Sequence, residues 1–296
     1  MTTVSLVLGS GGARGYAHIG AIEEIERRGY EIVAISGSSI GALIGGMYAA
    51  GRLPEYSDWV KSLSWIKVVR LLDFTLSKGA IRGDKIFVQL AEILGNPKIQ
   101  DLPIDYTAVV ADLARQKEVW YQKGPLLDAI RASVAVPGLF TPVIKGASVL
   151  VDGGVLNPLP IIPAVASQAD LIIAVDLNTG DVNHSHLKLP SNKYLRRSGM
   201  SDEWNMPDVD TSSAEQTSKE QNEIGGRMDI LLNSVEVMQA SLTEYKIAGY
   251  PPDLVVRIPK DLCSFYDFHR AAETIEYGRL ATREKLEALE QGDTIN

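Results

Sequence analysis

Apolar residues over the first fifty positions fall into blocks of different period. Val4-Ser5-Leu6-Val7-Leu8 is a short apolar run that stops at the glycines from Gly9, the form of a buried strand. Ala17, Ile19, Ala21, Ile22 and Ile25 then recur at helical spacing up to Gly29, and Ile32 to Ser36 gives a second strand. Strand, glycine-rich turn, helix and strand within about 36 residues predict a right-handed βαβ unit of a parallel sheet. Both glycine turns then lie at the carboxyl ends of strands, where open parallel sheets bind their ligands.

Further strands are predicted at Tyr106 to Asp112, Glu118 to Gln122, Ser148 to Val151, Leu171 to Asp176 and Leu254 to Ile258. Helical patterns occupy about 55–64, 83–95, 126–134, 159–168, 224–247 and 269–291. This alternation predicts an α/β fold, a parallel-rich central sheet with helices on both faces. The 296 residues, 45% hydrophobic and 22% charged, suit one domain spanning 1–296. The regular pattern lapses from Asn178 to about Gly225, where Ser, Asn, Asp, Lys, Glu and Thr dominate. This polar insertion is expected to be disordered, or to form a lid or membrane-contact loop anchored by residues such as Leu187, Tyr194 and Trp204. From Trp59 to Phe74 apolar residues are interleaved with Lys61, Lys67 and Arg70, which suits a buried helix pair or a peripheral membrane contact.

A formal net charge of -8 without a basic run leaves no footprint for nucleic acid. No stretch approaches the roughly 18 to 20 apolar residues of a transmembrane helix. Met1-Thr2-Thr3 runs directly into a strand pattern with no signal-peptide features, so a cytoplasmic location is expected, with membrane contact peripheral at the inner face. The single cysteine, Cys263, excludes an intramolecular disulfide and reads as a buried or half-buried thiol. The pattern specifies no oligomeric state.

Gly37-Ser38-Ser39-Ile40-Gly41 is a Gly-x-Ser-x-Gly sequence lying after the strand Ile32–Ile35 and before the small apolar segment Ala42–Met47. A sharp strand-to-helix turn there would project the Ser39 hydroxyl clear of the backbone, and the flanking glycines would let neighbouring elements close on the turn. A nucleophilic serine also needs a proton acceptor and donors for an oxyanion. Four histidines are available: His18 in the first helix, His184 and His186 in the polar insertion, and His269 at the start of the C-terminal helix. None carries a motif for a base, and a serine after only the second strand fits an α/β-hydrolase triad poorly, with His269 its best candidate. An aspartate in direct contact could serve instead, and Asp152-Gly153-Gly154 at the end of a strand allows that; an ordinary Asp-Gly turn has the same sequence.

The loop Gly9-Ser10-Gly11-Gly12-Ala13-Arg14-Gly15 has consecutive amides at a helix N-terminus, suited to a phosphate or to an oxyanion. A dinucleotide frame starting at Gly9 puts Arg14 where its third glycine belongs, and no acidic residue ends the second strand. A P-loop is excluded by the lack of Gly-Lys-Ser/Thr. Donation to an oxyanion at Ser39 is the better account. Arg14 itself could meet a substrate phosphate, steady the loop, or extend into solvent.

These segments resemble the patatin-like phospholipase family. The resemblance rests on Gly11-Gly12-Ala13-Arg14-Gly15 with His18-Ile19-Gly20, on Gly37 to Gly41, on Arg131-Ala132-Ser133-Val134-Ala135-Val136-Pro137-Gly138-Leu139-Phe140 and on Asp152-Gly153-Gly154, in the family's order over residues 4–176. The bacterial branch related to neuropathy target esterase is the most similar. One departure is Ser10, where the family's glycine frame would begin. The resemblance implies a three-layer fold and a Ser-Asp dyad with Ser39 as nucleophile and Asp152 as base. It also implies an oxyanion hole from Gly11, Gly12, Ala13 and Arg14, a structural His18, a lipid or acyl-ester substrate such as a (lyso)phospholipid, and no metal or organic cofactor. A thioesterase or acyltransferase with the same dyad, and a non-catalytic lipid-binding regulator, are the alternatives.

Overall fold

In the computed structural model, which describes residues 1–72, 83–179 and 227–292, the strands of those residues join in one sheet of order β5-β6-β3-β2-β1-β7-β8, with β4 added on β3. The strands are β1 (Thr3–Leu8), β2 (Glu31–Ser38), β3 (Asp105–Asp112), β4 (Lys117–Tyr121), β5 (Val143–Lys145), β6 (Ser148–Asp152), β7 (Leu171–Thr179) and β8 (Leu254–Pro259). β1 lies centrally, parallel to β2 and β7, and the pairs β2/β3 and β7/β8 are parallel too. The antiparallel pairs gather at the other side, β3 with β4 and β6, and β5 with β6.

The helices are α1 (Ala17–Arg27), α2 (Ile40–Ala49), α3 (Leu53–Lys61), α4 (Trp65–Leu72), α5 (Asp84–Leu94), α6 (Leu126–Ser133), α7 (Ile161–Val165), α8 (Arg227–Gly249) and α9 (Ala271–Gln291). Alternation along β1 explains their placement. Leu6 and Leu8 join the main core with Ile19 and Ile22 of α1 and Ile44 of α2, whereas Val7 faces the opposite side with Ile161 and Ala164 of α7 and Ala174 of β7. A sheet buried on both faces needs near-continuous apolar strands, as β1 has, and the fold is the mixed α/β architecture with helices on both sides that the periodicity predicts.

Differences from expectation are local. β5 is only three residues long, too short for a period-2 signal. α7 covers five residues of the expected 159–168, since Pro160 and Pro163 allow helix only in a first turn. The apolar stretch after Trp59 breaks at Ser62–Ser64 into α3 and α4. The polar insertion lies outside the described residues, except for Asn178 and Thr179, which finish β7. Cys263 is buried, the first of its two expected settings.

β3 holds the arrangement that matters most. Its first half pairs with β2, ending at Ser38 opposite Val109, and its second half pairs with β6, beginning with Asp152 opposite Val110. β4 overlaps both segments and therefore occupies the other edge. β2 and β6 thus run toward each other along one edge of β3 and end on its neighbouring residues.

Candidate active site

Ser39 follows β2 and caps α2 with φ 56 and ψ -125, a left-handed conformation that costs a non-glycine residue about 1–3 kcal/mol. The surroundings hold it there. The Ser39 N–H donates to Ser133 Oγ at 3.0 Å, and Ser133 Oγ donates to the Val109 carbonyl at 2.6 Å. At Gly41 a Cβ would overlap the Leu8 carbonyl, so only glycine lets the start of α2 press against the end of β1.

The Ser39 hydroxyl donates to Asp152 Oδ2 in a short hydrogen bond. The other carboxylate oxygen, Oδ1, accepts the Gly154 N–H at 2.7 Å, and the Asp152 N–H donates to the Ala135 carbonyl at 3.0 Å. Asp152 is 2% exposed. Burial pushes its carboxyl up to about 7, against the downward pull of the hydrogen bonds from Ser39 and Gly154. A carboxyl that ionises near neutrality and touches a serine hydroxyl is poised to exchange a proton with it.

The glycine loop leaves β1 and turns into a short 3-10 segment, Gly12–Tyr16, with Gly12 at φ 58. Gly9 N–H donates to the Val175 carbonyl, Ser10 N–H to the Pro158 carbonyl, Asn178 Nδ2 to the Ser10 carbonyl and His18 Nε2 to the Gly9 carbonyl. His18 is fully buried, which pushes its imidazole down to about 4 and keeps it neutral at pH 7. It acts as a brace for the loop. Of the four residues expected to form an oxyanion hole, Ala13 donates its N–H to the Phe265 carbonyl at 3.0 Å. Gly11 and Gly12 open the helical turn, where amides lack intrahelical acceptors.

Arg14 does not extend into solvent. It is 2% exposed, its Nη2 donates to Glu236 Oε1 at 2.7 Å and its Nη1 to the Lys260 carbonyl at 3.2 Å. Nor does His269 serve Ser39; it packs edge-on against Trp65, ring centroids 5.7 Å apart. His184 and His186 lie outside the described residues.

Ser39 and Gly12 both line a cavity of ≈ 110 Å³. Its walls are Leu43 of α2, Tyr56 and Trp59 of α3, Val68 and Leu71 of α4, Phe87 and Leu90 of α5, and Leu139, Phe140 and Phe268 from loops. No Lys, Arg, His, Asp or Glu is among the described residues that line it. A lining of this kind favours apolar groups through the hydrophobic effect and offers no counter-charge to an ion.

Three contributors lie beyond what the sequence announces. Ser133 belongs to the Arg131–Phe140 segment that carries the resemblance, but nothing within that segment specifies its role. Phe265 and Glu236 carry no local signal, and Glu236 reaches Arg14 from 222 positions along the chain.

The family model for patatin-like phospholipases matches residues 6–165. An NTE family protein of Mycobacterium tuberculosis is 37% identical over 334 residues, covering 98% of this chain and 93% of its own. Lysophospholipase NTE1 of Debaryomyces hansenii is 33% identical over 187 residues, which take in 60% of this chain and 12% of that one. Among solved structures, VipD from Legionella pneumophila shares the fold, with a TM-score of 0.59 at 15% identity over 97% of this chain and 67% of that one. With more than half its length inside the family match and a relative alike from end to end, the chain belongs to the patatin-like phospholipase family.

Proposed function

We propose that the protein is a serine lipid acyl hydrolase that cleaves carboxylic esters of (lyso)phospholipids or related lipids through Ser39 and Asp152. The observation that carries this reading is the hydrogen bond from the Ser39 hydroxyl to the buried Asp152 carboxylate beside an apolar cavity. Ser39 Oγ attacks the ester carbonyl carbon while Asp152 takes its proton. The oxyanion meets the amides of Gly11, Gly12 and Arg14, with Ala13 tied back by Phe265. Collapse expels the alcohol, which leaves with the proton held by Asp152. A water then gives a proton to Asp152, attacks the acyl-enzyme, and releases the fatty acid; the proton returns to Ser39.

Because Asp152 must begin deprotonated, kcat/KM is expected to rise with pH through about 7 and then level off. A profile that stays flat from pH 5 to pH 9 would contradict the base assignment. A lipid panel with product identification tests the activity, and release of free fatty acid is the expected result. Transfer of the acyl chain to an added alcohol in preference to water, or turnover confined to thioesters, would favour the acyltransferase or thioesterase reading.

The walls of the cavity suggest where the lipid enters. α4 turns Val68 and Leu71 to the cavity, while Trp65 and Ile66 are 57% and 61% exposed beside Lys67 and Arg70. An amphipathic helix with cations at its polar margin binds at an anionic lipid interface. A peripheral contact of this outer face with a bilayer would set the cavity near the lipid surface. Trp65→Glu with Ile66→Glu is expected to abolish cosedimentation with anionic phospholipid vesicles while hydrolysis of a short soluble ester persists. Undiminished cosedimentation would remove α4 from that role.

A further inference from the structure

One face of α8 touches both parts of the candidate site. Glu236 accepts from Arg14 in the glycine loop, and Gln239, one turn further on, approaches the turn after Asp152. A Cβ on Gly154 would lie 2.5 Å from Gln239 Nε2, 2.5 Å from Ser10 Oγ and 3.0 Å from Asp152 Oδ1, so these groups converge where Gly154 has no side chain. The opposite face of α8 exposes Ile230, Val237, Met238 and Tyr245.

The Arg14 guanidinium is enclosed, and both of its terminal nitrogens are engaged by protein oxygens. A guanidinium in such a place is held by charge-assisted hydrogen bonds and is costly to leave unpaired. Without Glu236 only the Lys260 carbonyl would hold the guanidinium, and Nη2 would be left without its charged partner. That side chain is therefore not available to a substrate phosphate.

We infer that Glu236 is a positioning residue for the glycine loop: by fixing Arg14 together with the Lys260 carbonyl, it keeps the amides of Gly11, Gly12 and Arg14 aimed at Ser39. The inference rests on the hydrolase reading for its consequence in rate. It assigns Arg14 to the geometry of the loop, so the loss on breaking the pair is the same for charged and neutral esters.

The test compares the full chain with Glu236→Ala, Glu236→Gln and Arg14→Ala on a p-nitrophenyl acyl ester and on a lysophospholipid, alongside melting temperature and hydrogen exchange of the peptide covering residues 9–16. Glu236→Ala is expected to lower kcat roughly 10- to 100-fold with KM within about 3-fold, by one ratio on both substrates. Glu236→Gln keeps an acceptor oxygen and retains more of kcat, and loop amides exchange about 10-fold faster in the alanine variant. Unchanged kcat, a loss confined to the lysophospholipid, or a loss that rises in KM alone would each overturn the proposal. If Glu236→Ala does not fold, Glu236→Gln carries the comparison, with reduced kcat and faster loop exchange supporting the role and wild-type values refuting it. Absence of ester turnover in the wild-type chain would refute the hydrolase reading, and the exchange measurement would still decide whether Glu236 orders the loop.

Discussion

Ser39→Ala is expected to abolish hydrolysis of a p-nitrophenyl acyl ester, a fall of at least about 10⁴-fold, because it removes the hydroxyl proposed to form the acyl-enzyme. Its melting temperature stays near that of the parent, since alanine bears the same backbone strain at φ 56. Ser39→Gly is equally inactive and more stable by about 1 kcal/mol, glycine being at ease in the left-handed region. Asp152→Asn belongs to the same experiment. An amide cannot accept the serine proton, so turnover falls comparably. Stability moves the other way. The Asp152 carboxyl titrates near 7 in the folded chain and near 3.8 when unfolded, so its contribution is full below pH 4 and is lost as pH rises through 7. The asparagine variant is therefore expected to be the more stable protein at pH 8, with the advantage disappearing toward pH 4, as chemical denaturation at the two pH values would measure. Turnover surviving in either Ser39→Ala or Asp152→Asn would sink the dyad.

Gly153→Ala carries the second large effect, although it touches no reacting atom. A Cβ there would overlap the Val109 carbonyl, which already accepts from Ser133, and would lie 2.7 Å from Ser38 Oγ. The start of the turn after β6 must move away from β3, taking Asp152 from Ser39. A displacement of about 1 Å in a reacting pair costs on the order of 10²-fold in rate, and overpacking of this kind destabilises by about 1–3 kcal/mol. Gly249→Ala is the control, since a Cβ at the end of α8 meets nothing within 4 Å. Full activity in Gly153→Ala would mean that the meeting of β2 and β6 is looser than its geometry implies.

The strand at the centre of that meeting illustrates what can be read along a chain. The run Tyr106 to Asp112 announces β3 by its apolar pattern, and its neighbours announce themselves as strands too. Nothing in the run says that one edge is shared by β2 and β6 while the other takes β4, because pairing is decided by strands separated by tens of residues. α4 shows the same boundary from another side. Its composition allows burial or membrane contact, and the fold divides it, with Val68 inward and Trp65 outward.

The sequence by itself determined the local devices: the strand-to-helix turn at Ser39, the glycine loop after β1, the Asp-Gly-Gly turn, and the alternating elements of an α/β fold. Each depends on backbone freedom and periodicity within a few residues. The resemblance pairs Ser39 with Asp152, and the tertiary structure shows their contact across 113 positions; it alone decided that Arg14 is held by Glu236 and that Ala13 gives its amide to Phe265. It also decided the state of the carboxyl, because desolvation depends on everything packed around a group. Partners and dielectric come from distant parts of the chain, and no spacing along it encodes them.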